Sequence, residues 1–342
     1  MTLPLRFAVL GAGFWSRFQL AAWQELEGAR CVAICDPDRS KAEARAREFG
    51  VPAVYDDPAA MFDNERLDFV DIISSPESHG PLVHLAAERK VAVICQKPMA
   101  PNFEESKAMV AACQEAGVTF LIHENWRWQT PIQHLRQVLG SMRIGNPFRA
   151  RIDFRSSFDV FANQPFLKEL DRFILTDIGT HILDVARFLF GEAEGLFCTT
   201  SKVRRDIKGE DVATVLLVMK SGATVVCNMA YAGTPLEHDR FPETYVFVEG
   251  DDGSAELGPD YWVRQTTAEG TFAKRVPPPR FPWADPAYDV VHASILACNA
   301  AHLGALRGEL PGTTTGEDNL KTLRLVEESY RSAAERRFIP IS

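Results

Sequence analysis

The chain has 342 residues, a net charge of -9 at pH 7 and an isoelectric point near 5.5. A nucleic-acid-binding protein needs a basic face, so this acidic composition argues against nucleic acid as a partner. No stretch approaches the roughly 18 continuous apolar residues of a membrane helix, and no apolar leader precedes the first strand pattern. We therefore expect a globular protein of about two domains that does not bind a membrane.

The cysteines predict a reducing environment. There are seven of them, an odd number, and no C-x-x-C pair occurs. Neither a disulfide framework nor a zinc site is indicated, so we expect buried thiols, a cytoplasmic protein and no bound metal.

The first 125 residues alternate strand patterns with helix patterns over short connections. Apolar runs predict strands at Arg6–Leu10, Cys31–Asp36, Phe69–Ser75, Val91–Gln96 and Thr119–Glu124. Helical patterns lie between them at Ser40–Phe49, Pro81–Arg89 and Phe103–Ala116. Gly50 and Gly117 follow two of these where helices commonly end. Such alternation predicts an α/β fold, with a doubly wound parallel sheet in a domain spanning residues 1–125.

A glycine-rich turn follows the first strand, reading Gly11-Ala12-Gly13-Phe14-Trp15-Ser16. Two glycines allow a tight turn and the close approach of a pyrophosphate to a helix N-terminus. The third glycine of the usual fingerprint is here Ser16. We expect Gly11, Gly13, Phe14 and Trp15 to contact a dinucleotide.

Asp36 ends the second predicted strand, 23 residues after Gly13. A carboxylate there can accept hydrogen bonds from the ribose hydroxyls and repels a 2′-phosphate, which favours NAD over NADP. Arg39 nearby leaves room for NADP. A helix-start role for Asp36 is the alternative interpretation.

Two further strand ends should lie at the same edge of the sheet. Ser75 and His79 fall in the Ser-Ser-Pro-Glu-Ser-His segment and are expected beside the cofactor, although His79 could be an ordinary helix-start residue. Gln96 and Lys97 end the run V-A-V-I-C-Q-K-P, where open α/β sheets place their ligands. We expect Lys97 to approach a substrate hydroxyl; the alternative is a lysine pointing to solvent.

The second half, residues 126–342, has a different pattern of predicted strands and helices. Strand patterns occur at Phe148–Ser157, Asp211–Lys220, Ala223–Ala230 and Thr244–Val263, the last broken by Gly250-Asp251-Asp252-Gly253. Ser221-Gly222 signals a hairpin. Helical patterns close the chain at Tyr288–Arg307 and Gly316–Arg337. These features predict an α+β domain with a large open, mostly antiparallel sheet.

The segment Leu175–Asp184 carries a carboxylate–imidazole pattern. On a helix Asp177, His181 and Asp184 fall at i, i+4 and i+7 and share one face. A carboxylate one turn from an imidazole suits a general base near neutral pH. Metal ligation and a surface ion pair are the alternatives; the apolar run that follows favours a buried helix.

Aromatic and polar residues gather in two other segments. Asn125, Trp126 and Arg127 follow the last strand of the first half, and Asn163 and Gln164 lie upstream of Asp177. Rings beside amides and a guanidinium suit a sugar, and Arg127 alone could hold a carboxylate. The alternative for the tryptophans is an aromatic hinge.

The chain resembles the glucose-fructose oxidoreductase, inositol dehydrogenase and rhizopine-catabolism family. The match rests on the glycine turn, the Ser74–His79 segment, Gln96-Lys97-Pro98 and the Asp177–Asp184 segment. The resemblance implies a Rossmann domain, a C-terminal domain whose open sheet makes homodimer or homotetramer contacts, and catalytic roles for Lys97, Asp177 and His181. H-E-N-W-R-W-Q with Q-K-P resembles the D-apiose dehydrogenase branch.

Two departures from the family pattern stand out. Gln96 replaces the glutamate of the Glu-Lys-Pro motif, and Asp171-Arg172-Phe173 replaces a glycine-rich run. We expect NAD-dependent oxidation of a sugar or polyol, with either Lys97 or His181 as the base. An NADP-linked reductase, a non-catalytic dinucleotide-sensing regulator and NAD-assisted glycoside cleavage are the alternatives.

Overall fold

The computed structural model describes residues 3–234 and 242–341 of the chain, apart from the side chain of Asn163. The chain forms two compact units. The first consists of residues 1–125, 282–284 and 295–321, and the second of residues 126–281, 285–294 and 322–342. Residues 295–321 thus belong to the first unit, although the division made from the sequence assigned them to the second domain.

The first unit alternates strands and helices. Its strands are β1 Leu5–Leu10, β2 Ala29–Cys35, β3 Ala53–Tyr55, β4 Phe69–Ile72, β5 Ala92–Gln96 and β6 Phe120–His123. Its helices are α1 Phe14–Gln24, α2 Arg39–Phe49, α3 Pro58–Asn64, α4 Pro76–Glu88 and α5 Phe103–Ala116. β3 and α3 were not predicted, because a three-residue strand and a seven-residue helix are too short to show a periodicity.

The six strands form one parallel sheet in the order β3-β2-β1-β4-β5-β6. The predicted doubly wound sheet is confirmed, and its topological switch point lies between β1 and β4. The carboxyl ends of β1, β2, β4 and β5 meet at one edge. The turns that carry Gly11, Asp36, Ser75 and Lys97 therefore all start from that edge.

Local sequence signals define most helix ends of this unit. Asp38, Asp57 and Asn102 accept backbone hydrogen bonds as N-caps of α2, α3 and α5. Gly50 and Gly117 adopt the left-handed conformation at the ends of α2 and α5, as predicted.

Helix α4 differs from its prediction. It begins at Pro76 and runs through Pro81, the residue at which the sequence predicted its start. Pro76 stands at the first helical position, where proline is preferred, whereas Pro81 lies inside the helix, and Ser75 occupies the N-cap position. His79 consequently lies in the early turns of a helix.

The second unit is built on a nine-stranded sheet. Its strands are β7 Pro147–Arg155, β8 Ala193–Ser201, β9 Val212–Met219, β10 Thr224–Ala230, β11 Tyr245–Gly250, β12 Gly253–Gly258, β13 Trp262–Thr267, β14 Gly270–Arg275 and β15 Ile339–Pro340. Helices α6 Thr130–Gly140, α7 Val160–Asn163 and α8 Thr180–Phe190 belong to it entirely, whereas α9 Asp289–Leu306 and α10 Gly316–Glu335 contribute residues to both units.

The order of this sheet is β14-β13-β12-β11-β7-β10-β9-β8-β15. β7 and β10 pair in parallel and every other pair is antiparallel, so the predicted mostly antiparallel sheet is confirmed. The Ser221-Gly222 hairpin joins β9 to β10 as predicted. Alternate residues of β9 and β10 are buried, which leaves one face of these strands partly exposed. By length and hydropathy, no helix within the described ranges qualifies as a membrane-spanning segment.

Candidate active site

The glycine turn joins β1 to α1 with room for a ligand. Gly11 has φ +106°, and a Cβ there would lie 2.5 Å from the carbonyl oxygen of Ile73, so this position requires glycine. A Cβ on Gly13 would meet no described atom within 4 Å, although its φ of -73° suits any residue. Open space beside the first amides of a helix is what a pyrophosphate needs. The turn therefore fits the phosphates of a dinucleotide.

Three residues at the start of α1 lie beside this turn: Phe14, Trp15 and Ser16. Ser16, at the third fingerprint position, is fully buried and donates to the carbonyl oxygen of Gly13 at 2.7 Å. Phe14 is 58% exposed, and its ring lies edge-on to Trp15 with centroids 5.4 Å apart. An exposed aromatic ring at a helix N-terminus offers a flat apolar surface to a bound ligand.

Asp36 holds the glycine turn through its carboxylate. Oδ2 accepts the backbone N–H of Ala12 at 2.7 Å, and Oδ1 accepts that of Asp38 at 2.9 Å. These two bonds orient a carboxylate that has lone pairs left for ribose hydroxyls.

Arg39, the residue predicted to leave room for NADP, is engaged by two carboxylates. Its Nε lies 3.1 Å from Oε1 of Glu43 and its Nη1 lies 3.7 Å from Oδ2 of Asp56. A guanidinium paired in this way is less available to a 2′-phosphate, so this arrangement favours NAD.

Ser75 and His79 lie in different surroundings on α4. Ser75 is exposed at the N-cap position. His79 is fully buried, and both of its ring nitrogens face backbone carbonyl oxygens. Burial lowers the pKa of His79, while its hydrogen bonds to Met99, Ser74 and Pro98 partly oppose that shift. The predicted contact of His79 with a cofactor stays a prediction.

Lys97 directly follows β5 and is half-buried, and the peptide bond between Lys97 and Pro98 is cis. The Nε2 of Gln96 is buried with no hydrogen-bond partner among the residues that the structure describes. Because an unpaired buried amide is costly, this donor fits a site whose ligand supplies the acceptor. The unit thus brings Gly11, Gly13, Asp36, Ser75 and Lys97 to one edge of its sheet.

Asp177 of the second unit lies in a π-helical turn, Leu175–Gly179, that leads directly into α8. The regular helix predicted from the i, i+4, i+7 spacing therefore begins only at Thr180. π-turns widen the helix locally and occur frequently at functional sites. Asp177 is half-buried, whereas His181 is 3% exposed.

Glu210 caps this π-turn, a role that no local motif around residue 210 predicts. Its carboxylate accepts the backbone N–H groups of Phe173 and Leu175, both at 3.2 Å, and the hydroxyl of Tyr330 at 2.7 Å. Tyr330 also lies 3.1 Å from the hydroxyl of Thr176. Burial and the Glu210 carboxylate raise the pKa of Tyr330, which keeps its hydroxyl a donor.

His181 packs against an aromatic ring. Trp126, in a short 3₁₀ turn, stacks on the imidazole with ring centroids 4.3 Å apart and planes at 30°. Its Nε1 donates to Oγ1 of Thr244 at 2.9 Å. Trp126 is therefore positioned to support His181, whatever contact it makes with substrate.

The partner of Asp184 is a guanidinium. Arg127 donates from Nε to Oδ2 of Asp184 at 2.7 Å and from Nη2 to Oδ1, and both side chains are buried. Thr322 also donates to Asp184, at 3.2 Å. The carboxylate of Asp184 thus already engages the charge of Arg127. The predicted contact of Arg127 with substrate stays a prediction.

The remaining predicted substrate residues are Asn125, Asn163 and Gln164. Asn125 is buried at the end of the first unit. Gln164 is half-buried after α7, and the side chain of Asn163 lies outside the described part of the structure. Within residues 3–234 and 242–341, no group of three or more His, Cys, Asp or Glu side chains could hold a metal ion.

Comparison with known proteins agrees with this geometry. A model of the oxidoreductase family with an NAD-binding Rossmann fold matches residues 5–124, and a GFO/IDH/MocA C-terminal domain matches residues 132–256. A D-apiose dehydrogenase from Paraburkholderia graminis is 45% identical, covering 98% of this chain and 89% of the relative. A D-apiose dehydrogenase from Rhizobium rhizogenes is 42% identical, covering 98% and 97%.

A solved structure is similar over its whole length. It is an oxidoreductase from Agrobacterium radiobacter in complex with NAD+, L-tartaric acid and magnesium, with a TM-score of 0.96 and 42% identity, covering 98% of each chain. The resemblance drawn from the sequence motifs is thereby confirmed: the chain belongs to the GFO/IDH/MocA oxidoreductase family, whose N-terminal domain is an NAD-binding Rossmann fold.

Proposed function

We propose that this protein is an NAD-dependent dehydrogenase that oxidises a hydroxyl of a sugar or polyol. D-Apiose is the first substrate to test, with a lactone as its product. The observation that carries the proposal is the Asp36 carboxylate, fixed by the amides of Ala12 and Asp38 beside an open glycine turn. The 45% identity with a D-apiose dehydrogenase over 98% of the chain supports the choice of sugar.

The cofactor is assigned to residues of the first unit. The turn at Gly11 and Gly13 would take the pyrophosphate and Asp36 the ribose hydroxyls. Residues at its margins would be Phe14, Trp15, Arg39, Ser75, Gln96 and Lys97. When bound there, NAD+ supplies the hydride acceptor.

The chain's own residues would handle the proton and the developing charge. In this proposal the imidazole of His181 takes the proton of the substrate hydroxyl, because a neutral histidine is a suitable base near pH 7. Lys97 donates a hydrogen bond to the same oxygen and stabilises its negative charge. Asp177 orients either the substrate or His181.

The sugar itself would be held by side chains rich in amide and aromatic groups. These are Asn125, Trp126, Arg127, Asn163 and Gln164. Their chemistry suits a ring with many hydroxyls and no phosphate. An NADP-linked reductase is less well supported, since Glu43 and Asp56 engage Arg39.

We also propose that the protein works as a homodimer or homotetramer in the cytoplasm. The partly exposed face of the second sheet carries apolar residues such as Leu216, Val218, Val226 and Phe247. An apolar patch of this kind marks an interface. All seven cysteines are free, which suits a reducing compartment. Sedimentation analysis of the purified chain would report the assembly.

The experiment is a substrate screen with purified protein. D-Apiose, other aldoses, cyclitols and aldonates are mixed with NAD+ or NADP+, and absorbance of the reduced nicotinamide is followed. We expect reduction of NAD+ by D-apiose or a related sugar, and a much lower rate with NADP+. Tight binding of NAD+ without reduction by any compound would contradict the proposal and favour a dinucleotide-sensing regulator.

A further inference from the structure

His79 connects two loops at the carboxyl edge of the parallel sheet. Its Nδ1 lies 3.1 Å from the carbonyl oxygens of both Pro98 and Met99, in the loop after β5. Its Nε2 lies 3.1 Å from the carbonyl oxygen of Ser74, in the loop after β4. Pro98 and Met99 directly follow Lys97, so the ring holds the backbone beside that lysine.

The three partners of His79 are all acceptors. A neutral imidazole carries one N–H and can donate from only one of its nitrogens. Two carbonyl oxygens converge on Nδ1 and one faces Nε2, so a proton on Nδ1 satisfies more of the surrounding acceptors. That tautomer fixes the loop after β5 directly.

The surroundings leave His79 little freedom to move. The side chains of His79 and Met99 are both fully buried. At the next position, a Cβ on Gly80 would lie 2.5 Å from Oε1 of Glu105, so the tip of the Glu105 side chain lies against this turn of α4. A buried donor in a close-packed site fixes its acceptors more firmly than an exposed one does.

We infer that His79 is a positioning residue for Lys97. It holds the Pro98–Met99 backbone and thereby fixes the direction in which the Lys97 side chain leaves the sheet. The inference rests on the proposed role of Lys97 in the reaction. It gives His79 a function other than the cofactor contact that the sequence suggested.

Three substitutions of His79 distinguish the hydrogen bonds at Nδ1 from the hydrogen bond at Nε2. The amide nitrogen of His79→Asn falls near the Nδ1 position and can donate to Pro98 and Met99. The amide nitrogen of His79→Gln falls near Nε2 and can donate only toward Ser74, whereas His79→Leu donates to neither. His84→Asn, on the same helix, is the matched control.

We expect kcat to fall about 100-fold in His79→Leu and His79→Gln, since a small displacement of a reacting group can cost that much. His79→Asn should recover most of this loss, staying within about fivefold of the wild type. KM and the Kd for NAD+, measured by fluorescence titration, should change less than about threefold in all of them. If His79→Leu does not fold, the difference in kcat between His79→Asn and His79→Gln still tests whether donation from the Nδ1 position is needed.

Three results would overturn the inference. A rise in the Kd for NAD+ that accounts for the loss of turnover would mean that His79 contacts the cofactor. Normal kcat in the Gln and Leu variants, beside a large loss in Lys97→Met, would mean that the loop does not need His79. If Lys97→Met itself turns over normally, the proposed role of Lys97 fails, and the inference fails with it.

Discussion

Trp126 stacks on His181, and the next residue, Arg127, forms a buried ion pair with Asp184 on the same helix as His181. The short turn of Trp126 and Arg127 is thus attached to α8 at two points. The sequence predicted that Asp184 would share a face with His181. The structure pairs Asp184 with Arg127, so packing against an indole and this ion pair hold the helix segment around the imidazole.

Replacing Trp126 should lower turnover by loosening His181. We expect Trp126→Leu to reduce kcat about 10- to 100-fold with a smaller change in KM, because misplacing a proton acceptor affects the chemical step. Trp126→Phe keeps a stacking ring and should stay within about fivefold. Steady-state kinetics test this, with Trp283→Phe as control. A rise in KM at unchanged kcat would show that Trp126 mainly binds substrate.

Breaking the Arg127–Asp184 pair should destabilise the second unit. Arg127→Met or Asp184→Leu leaves one buried charge without its main counter-charge, and each should cost about 3–5 kcal/mol. The double variant replaces both charges by apolar groups and should recover most of that loss. Urea unfolding of the four proteins measures the effect. Costs that simply add in the double variant would contradict a direct interaction.

Asp71 should make the stability of the first unit depend on pH. It is fully buried in β4 and accepts a hydrogen bond from Nε1 of Trp23 at 2.8 Å. Burial raises the pKa of Asp71 to about 7. In the unfolded chain the carboxyl ionises near pH 4. The folded state therefore keeps a proton that the unfolded state has lost, and the free energy of unfolding decreases as pH rises from about 4 to 7.

This contribution should amount to at most about 4 kcal/mol, since one pKa unit corresponds to about 1.4 kcal/mol. Asp71→Asn should remove it, so urea midpoints at pH 5 and pH 8 should move closer together than in the wild type. Asp63→Asn, on the exposed side of α3, is the control. An unchanged pH dependence in Asp71→Asn would mean that Asp71 is ionised in the folded protein throughout.

Asp36→Asn should weaken the preference for NAD. The amide oxygen can still accept the N–H of Ala12, so the turn should stay folded, but the charge that repels a 2′-phosphate is gone. We expect the Kd for NAD+ to rise about 10-fold, since hydrogen bonds to a charged group contribute about 1.5–3 kcal/mol. The ratio of NADP+ to NAD+ turnover should rise. Unaltered specificity would assign the choice of cofactor to other residues.

Local signals were sufficient for much of the first unit. The bounds of α5, the glycine ends of α2 and α5, and the parallel sheet all followed from caps and periodicity. The π-turn at Leu175–Gly179 could not be predicted, because no amino-acid pattern distinguishes a single π-turn from the regular helix that it interrupts. The partners of Asp184 and of the π-turn, Arg127 and Glu210, are distant in sequence, and only the fold brings them together.

The proposed function assigns the oxidation of a sugar by NAD+ to Lys97 and His181. NADH formation from D-apiose is to be compared between the wild type, Lys97→Met and His181→Asn, with Lys107→Met on the surface of α5 as control. We expect both site variants to lose at least about 100-fold in kcat while their Kd for NAD+ stays within about threefold, and the control to be unaffected. Wild-type turnover in both site variants would show that neither Lys97 nor His181 takes part in the reaction.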